Sequence, residues 1–254
     1  MQLEGKTAFV AGAGRNNGRA IALRFASEGA DLVLVARSRE EELKQVAKEC
    51  EAFGVKTLTL LGDVSKYQDV NSMAQQGLDR FGKVDVLVSV AGLRPHKDFW
   101  DISYEEWDQV LAVNLNATFY LAKALAPGMM QRKSGSIVAL GGMASLTCQP
   151  QRAHVIASKT GLYGLIKALA LELGPYNVRA NLVALNTIEN KRLNPEWYRE
   201  PGGDPLTPAE VQATALGRKG TREEVANVAL FLASDQSSYV TGDRIICAGG
   251  KLMI

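Results

Sequence analysis

Short apolar runs alternate with longer segments of helical period along almost the whole of this chain. The runs cover Thr7 to Ala11, Leu32 to Ala36, Thr57 to Leu61, Val84 to Ser89, Ser136 to Leu140, Arg179 to Ala184 and Arg244 to Cys247. They are continuous rather than alternating, which is how strands buried on both faces read. The segments between them carry the one-sided apolar stripe of helices packed on a sheet. Four helix starts are marked by capping boxes, in which a hydroxyl accepts from a free backbone N–H and a carboxylate three residues on reaches back. These are Ser38-x-x-Glu41, Ser103-x-x-Glu106, Thr207-Pro208-x-Glu210 and Thr221-x-x-Glu224. The alternation predicts an α/β architecture, a doubly wound seven-stranded parallel sheet whose ligands bind outside the carboxyl ends of the strands.

With no internal repeat, low-complexity tract or dividing linker, the 254 residues read as a single domain, 1–254. One stretch is irregular, from Asn186 to Leu206, with Pro195, Pro201, Gly202, Gly203 and Pro205. Because it follows a strand end it should lie over the ligand crevice, as part of a variable substrate region at about 186–216. Charge adds exclusions. The 29 basic and 27 acidic residues nearly cancel and form no block, so no nucleic-acid or anionic membrane surface is expected. Cys50, Cys148 and Cys247 are odd in number and far apart, which suits neither disulfides nor a metal. A lone cysteine such as Cys148 is expected to be a small buried hydrophobe. The chain starts without a charged region followed by a long apolar stretch, so a cytoplasmic location is expected.

The candidate chemistry begins at Gly12, Gly14 and Gly18, between the first strand and a helix expected to begin near Gly18. Free N–H groups and the helix dipole at such a turn can hold a pyrophosphate. At the end of the second strand, where an acidic residue would accept the ribose hydroxyls of NAD, stands Arg37. With Arg15 in the glycine turn it can flank a 2′-phosphate, which points to NADP(H) as cofactor.

The motifs Ala11-Gly12-Ala13-Gly14-Arg15-Asn16-Asn17-Gly18, Asp63-Val64, Ala91-Gly92, Asn114, Ala157-Ser158-Lys159 and Tyr239-Val240-Thr241-Gly242 span nearly the whole chain. Together they resemble the short-chain dehydrogenase/reductase family, which implies a Rossmann-type fold. The resemblance implies cofactor contacts from Gly12, Gly14, Arg15, Asn17, Gly18, Arg37, Asp63, Val64, Ala91, Gly92, Lys159 and Thr187, with Asp63 at the adenine amino group. Asn16 stands where the family has glycine, and asparagine tolerates left-handed backbone angles better than most residues. Ser89 stands where the family has asparagine, which removes a strand-stabilising hydrogen-bonding group. Of the residues that the family uses for chemistry, Asn114 and Lys159 match. The tyrosine position, four before the lysine, is Val155, and the serine position, thirteen earlier still, is Gly142.

Valine has no titratable group and glycine no side chain. A positioned acid contributes about 10²–10⁴-fold, so ordinary carbonyl reduction should be severely impaired. No neighbour is assigned the missing role. One residue along a helix turns His154 by about 100° away from Val155, leaving it a partly exposed histidine at the helix start. His96, Lys97 and Cys148 follow strand ends and could border the crevice, but the sequence shows no base partner for any of them, and Tyr163 should pack within its helix. That helix, Val155 to Gly174, is apolar almost all round, with small residues at Ala157, Gly161, Gly164 and Ala168, so its second face needs a partner. The resemblance implies a four-helix subunit interface with the helix near Trp107 to Met130, and a further contact through Ile245 to Ile254. A homo- or hetero-oligomer is therefore expected, a tetramer by family habit.

The chain is thus read as a catalytically silent subunit supporting an active relative. It resembles, by analogy, the inactive subunit of hetero-oligomeric family members such as the hydroxyacyl-CoA dehydrogenase of benzylsuccinate breakdown. The alternative is an NADPH-dependent oxidoreductase on a conjugated or CoA-type substrate, similar to the 2,4-dienoyl-CoA reductases. There Arg94, Lys97, Lys191 and Arg192 would meet a CoA phosphate. A nucleotide sensor is a third reading.

Overall fold

The apolar runs become the strands β1 (Thr7–Ala11), β2 (Asp31–Ala36), β3 (Thr57–Leu61), β4 (Val86–Ser89), β5 (Gly135–Leu140), β6 (Val178–Leu185) and β7 (Arg244–Cys247). They pair in parallel in the order β3-β2-β1-β4-β5-β6-β7. The computed structural model describes residues 1–190 and 208–253, so the centre of the expected substrate region, with Lys191, Arg192 and Thr207, lies outside the described residues. The order reverses between β1 and β4. That switch point opens a crevice at the carboxyl ends of the strands, and the register keeps those ends level: Ala11 pairs with both Val35 and Ser89, and Ser89 with Ala139.

Helices α1 (Asn16–Ser27), α2 (Glu40–Glu51) and α8 (Arg222–Ala233) cover one face. The other face carries α3 (Tyr67–Phe81), α5 (Ala117–Arg132) and α6 (Ala153–Leu173), with α4 (Tyr104–Leu111) leading into α5. Alternate residues of β1 serve the two cores, Ala8 and Val10 packing with Ile21 and Phe25 of α1, Phe9 and Ala11 with Leu121 of α5 and Met73 of α3. A short helix, α7 (Pro208–Gln212), precedes α8.

Several expectations change. Strands β3 and β7 are not doubly buried: they are edge strands, mostly half-exposed, with a neighbour on one side only. β4 starts at Val86 rather than Val84; the Asp85 backbone still donates to the Thr7 carbonyl and accepts from the Ser136 N–H, and its Oδ2 accepts from the Thr7 N–H at 2.9 Å. The first helix starts at Asn16, not near Gly18. The capping boxes at Ser103/Glu106 and Thr221/Glu224 form. The one at Ser38 does not, because Arg39 takes a left-handed conformation (φ 66°) and becomes the residue before the helix. Glu40, Glu41 and Glu42 then supply the negative first turn that a helix N-terminus favours. No helix among the described residues is long and apolar enough to cross a membrane.

Candidate functional site

The turn after β1 is built by close approach. Gly12 has φ 101°, and a Cβ there would lie 3.1 Å from the Ala91 nitrogen, so only glycine lets this turn rest on the end of β4. Gly18 is tighter still. A Cβ on it would fall 1.9 Å from the Gly12 carbonyl oxygen, and Gly18 therefore packs α1 against the turn rather than facing a ligand. Asn16 does adopt a left-handed angle, φ 48°.

A cavity of about 580 Å³ opens above these strand ends, a size typical of small-molecule sites. Gly12, Gly14, Arg15 and Asn17 form one wall, and the Asn17 side-chain oxygen is buried there with no protein partner. α1 starts without a side-chain cap, and it is the backbone N–H groups of such a helix start, rather than the acceptor oxygen of Asn17, that suit a dinucleotide pyrophosphate. Beyond β2 the lining continues through Arg37 and, unforeseen from sequence, Arg39, which pairs with Glu42 at 2.7 Å. Asp63 and Val64 close this end. Burial works to raise the Asp63 pKa, but hydrogen bonds from the Ser65 N–H and hydroxyl, and the charges of Arg37 and Lys66, hold it below the usual carboxylate range.

At the other end of the crevice, the helix leading to α5 widens into one π turn over Ala112–Asn116. Such turns recur at functional positions. Here the turn seats Asn114, whose Oδ1 accepts from the Leu93 N–H at 2.7 Å and whose Nδ2 donates to the Leu93 carbonyl (2.9 Å) and the Ser158 hydroxyl (3.0 Å). Asn114 is buried behind the cavity wall and acts by holding the loop after β4 and the start of α6 together. Nearby, the Ser89 hydroxyl pairs with that of Thr118 at 2.8 Å, so serine still ties β4 to α5 where the loss of a strand-stabilising hydrogen-bonding group was expected.

Lys159 lines the cavity with only 5% of its surface exposed, and its Nζ donates to the Leu140 carbonyl at 3.0 Å. Burial, helped by the charge of Arg94, pushes its pKa down to about 8. Ala91 and Gly92 border the same space. A Cβ on Gly92 would meet Asn114 Oδ1 at 3.4 Å and Lys159 Nζ at 3.5 Å, so glycine keeps this corner open. Thr187 lines the edge at φ 55°, its hydroxyl donating to Asn186.

The facing wall holds Val155 and Gly142. Val155 is 1% exposed and presents only methyl groups. Gly142 is extended (φ −159°), and a Cβ there would have its nearest neighbours at 3.9 and 4.0 Å, so a side chain is absent without being sterically barred. His154 lies off the cavity lining but is not partly exposed as expected: it is 1% exposed, with Nδ1 buried and unpartnered. Glu106 of α4 and Lys97 lie close enough to act on its charge, neighbours that position along the helix alone did not reveal. Burial lowers its pKa, Glu106 opposing, so the neutral form is favoured. Lys97 is likewise removed from the crevice, its Nζ bound to both Glu106 carboxylate oxygens at 2.7 and 2.8 Å. Cys148 is exposed, not buried, because it sits on the loop after β5, whereas Cys50 on α2 is fully buried. Tyr163 packs as expected, with Arg244 over its ring at 4.4 Å. Among the described residues no cluster could hold a metal ion.

A family model described as enoyl-(acyl carrier protein) reductase matches residues 12–251. The chain is 35% identical over 255 residues to the 3-oxoacyl-[acyl-carrier-protein] reductase of Thermotoga maritima, covering all of both. The crystal structure of carveol dehydrogenase from Mycobacterium avium in complex with NAD superposes with a TM-score of 0.92 at 29% identity, over 98% of each chain. A short-chain type dehydrogenase/reductase from Mycobacterium marinum does so at 0.87 and 30% identity, over 100% of this chain and 97% of that one.

Proposed function

This chain belongs to the short-chain dehydrogenase/reductase family, and on that premise we propose that it is a dinucleotide-binding subunit, silent towards isolated carbonyls, that supports an active relative. The observation that carries this reading is the pairing of Lys159 with Val155 one turn apart on α6. Lys159 stays poised beside Gly92 at the cofactor side, while the substrate-facing position has no proton to give. The resident cofactor is NADP(H): Arg15, Arg37 and Arg39 collect where a 2′-phosphate would lie, and guanidinium groups suit that anion. When bound, the cofactor supplies hydride chemistry, and the chain supplies its seat, its orientation and the exclusion of water.

Assembly is supported by the outer face of α6. Its buried side chains lie on one side, while Ala157, Gly164, Ala168 and Leu171 are exposed on the other, Leu171 at 81%. An apolar stripe of this kind is stabilised by a second subunit. The region around 186–216 shapes what the crevice admits. Copurification from the native source with a second family member bearing both serine and tyrosine is expected. Oxidation of NADPH by the pure chain with a simple ketone would sink the proposal.

Lys159 favours a second reading, reduction of a conjugated acyl thioester, the substrate type that the matching family description names. An ammonium of pKa about 8 can give a proton to the carbanionic carbon that hydride addition leaves in a conjugated system. NADPH oxidation with crotonyl-CoA but not acetoacetyl-CoA would distinguish this chemistry from the silent subunit.

A further inference from the structure

The cavity is divided by charge. Its described acidic lining residues, Glu42 and Asp63, both lie on the β2–β3 side. On the β4–β7 side stand Arg94, Arg152, Lys159 and Lys251, with no carboxylate among the described lining residues. Neither Arg94 nor Lys251 forms an ion pair among the described residues. Arg94 is close enough to Lys159 to disfavour its charged form, so two like charges stand near one another here. Such an arrangement inside a cleft focuses a positive potential on whatever enters. The lining between these cations includes the apolar Leu93, Met143, Val155 and Ile156, beside the polar Thr147 and Gln149.

We propose that this half of the cavity holds an anionic ligand with an apolar body, its headgroup meeting Arg94 and its chain lying against Val155 and Met143. The inference rests on the reading above, in which the dinucleotide occupies the other half. It adds that the substrate half is retained as a binding site although its proton donor is gone. The missing tyrosine and serine hydroxyls would have served a neutral carbonyl oxygen. A carboxylate or phosphate headgroup needs cations instead, and arginine binds either through paired hydrogen bonds. Replacement of the tyrosine by valine also makes the wall more apolar, which suits an alkyl body.

Calorimetry on the full chain saturated with NADPH tests the proposal with hexanoate, hexyl phosphate and the neutral hexanamide. At least one anion is expected to bind about tenfold tighter than hexanamide or more, and the better of the two identifies the headgroup. Arg94→Gln, at an exposed position where folding is not at risk, is expected to abolish that preference. Equal affinity for all three compounds, or a preference that survives Arg94→Gln, overturns the inference. NADPH binding is titrated separately and the anions are also measured without it, so failure of the dinucleotide seat is distinguished from failure of the anion site.

Discussion

The two ends of the crevice carry different chemical groups. Around β1 and β2, Gly12, Gly14, Asn17 and Arg37 stand on one wall, and Lys159 is buried at its far corner with Gly92 leaving it room. Across from them, Val155 and Gly142 offer neither a donor nor an acceptor side chain. Val155 and Lys159 are one turn apart on the same helix, yet one is apolar and the other a buried cation. Under the function proposed above, the difference teaches that holding a dinucleotide and delivering a proton rest on separable groups. The first depends on backbone turns and cations spread over several strand ends, the second on two side chains that can be replaced without disturbing the sheet. Gly142 shows this directly, since its site has space for a side chain and carries none.

The sharpest way to break this comparison is to restore the lost side. Gly142→Ser combined with Val155→Tyr is expected to raise NADPH-dependent reduction of a simple ketone by about 10²-fold or more over the unaltered chain, the size of a positioned acid's contribution. No gain while NADPH still binds would show that the walls differ in more than these two side chains.

A second test uses Lys159 and pH. Its folded-state pKa of about 8 lies below the ordinary 10.5, so burial penalises the charged form. Below about pH 8 both folded and unfolded chains hold the proton, and the penalty is fully present. Between about 8 and 10.5 the unfolded chain holds more protons, so stability rises with pH. Denaturant unfolding of the unaltered chain and of Lys159→Met, compared from pH 7 to pH 11, should show the unaltered chain gaining on the order of 3 kcal/mol relative to the variant. A constant difference would mean that Lys159 is solvated, and the two ends would then differ less than described.

The smallest expected effect sharpens the cofactor end. Arg37→Ala removes a charge-assisted contact of the kind that contributes about 1.5 kcal/mol or more, so NADPH affinity should fall about tenfold while NADH affinity barely changes. Equal losses for both dinucleotides would place Arg37 away from the 2′-phosphate.

The doubly wound sheet was legible because apolar runs and caps report local burial directly. Where the reading failed, contacts remote in sequence intervened. His154 reads as a surface histidine until the fold buries it near the Lys97–Glu106 pair. Cys148 reads as a core residue until its loop is seen to face solvent. Ser38 and Glu41 have capping-box spacing, yet the left-handed turn at Arg39 removes Ser38 from the capping position. Arg39 itself was missed as a lining residue, although its place two positions after Arg37 at a strand end was a usable signal.

By itself the sequence determined which groups exist: no titratable atom at positions 155 and 142, a lysine and an asparagine at 159 and 114, and arginine at 37. Chemical identity is unaltered by folding, so those conclusions stand at the level of the chain. Only the tertiary structure decided how the groups behave. It buried Lys159 against the Leu140 carbonyl, set Arg94 near it, withdrew Lys97 to Glu106 and left one side of the cavity lined by cations. Proton affinity and pairing depend on burial and on neighbours brought together from separate elements, and no spacing along the chain specifies those.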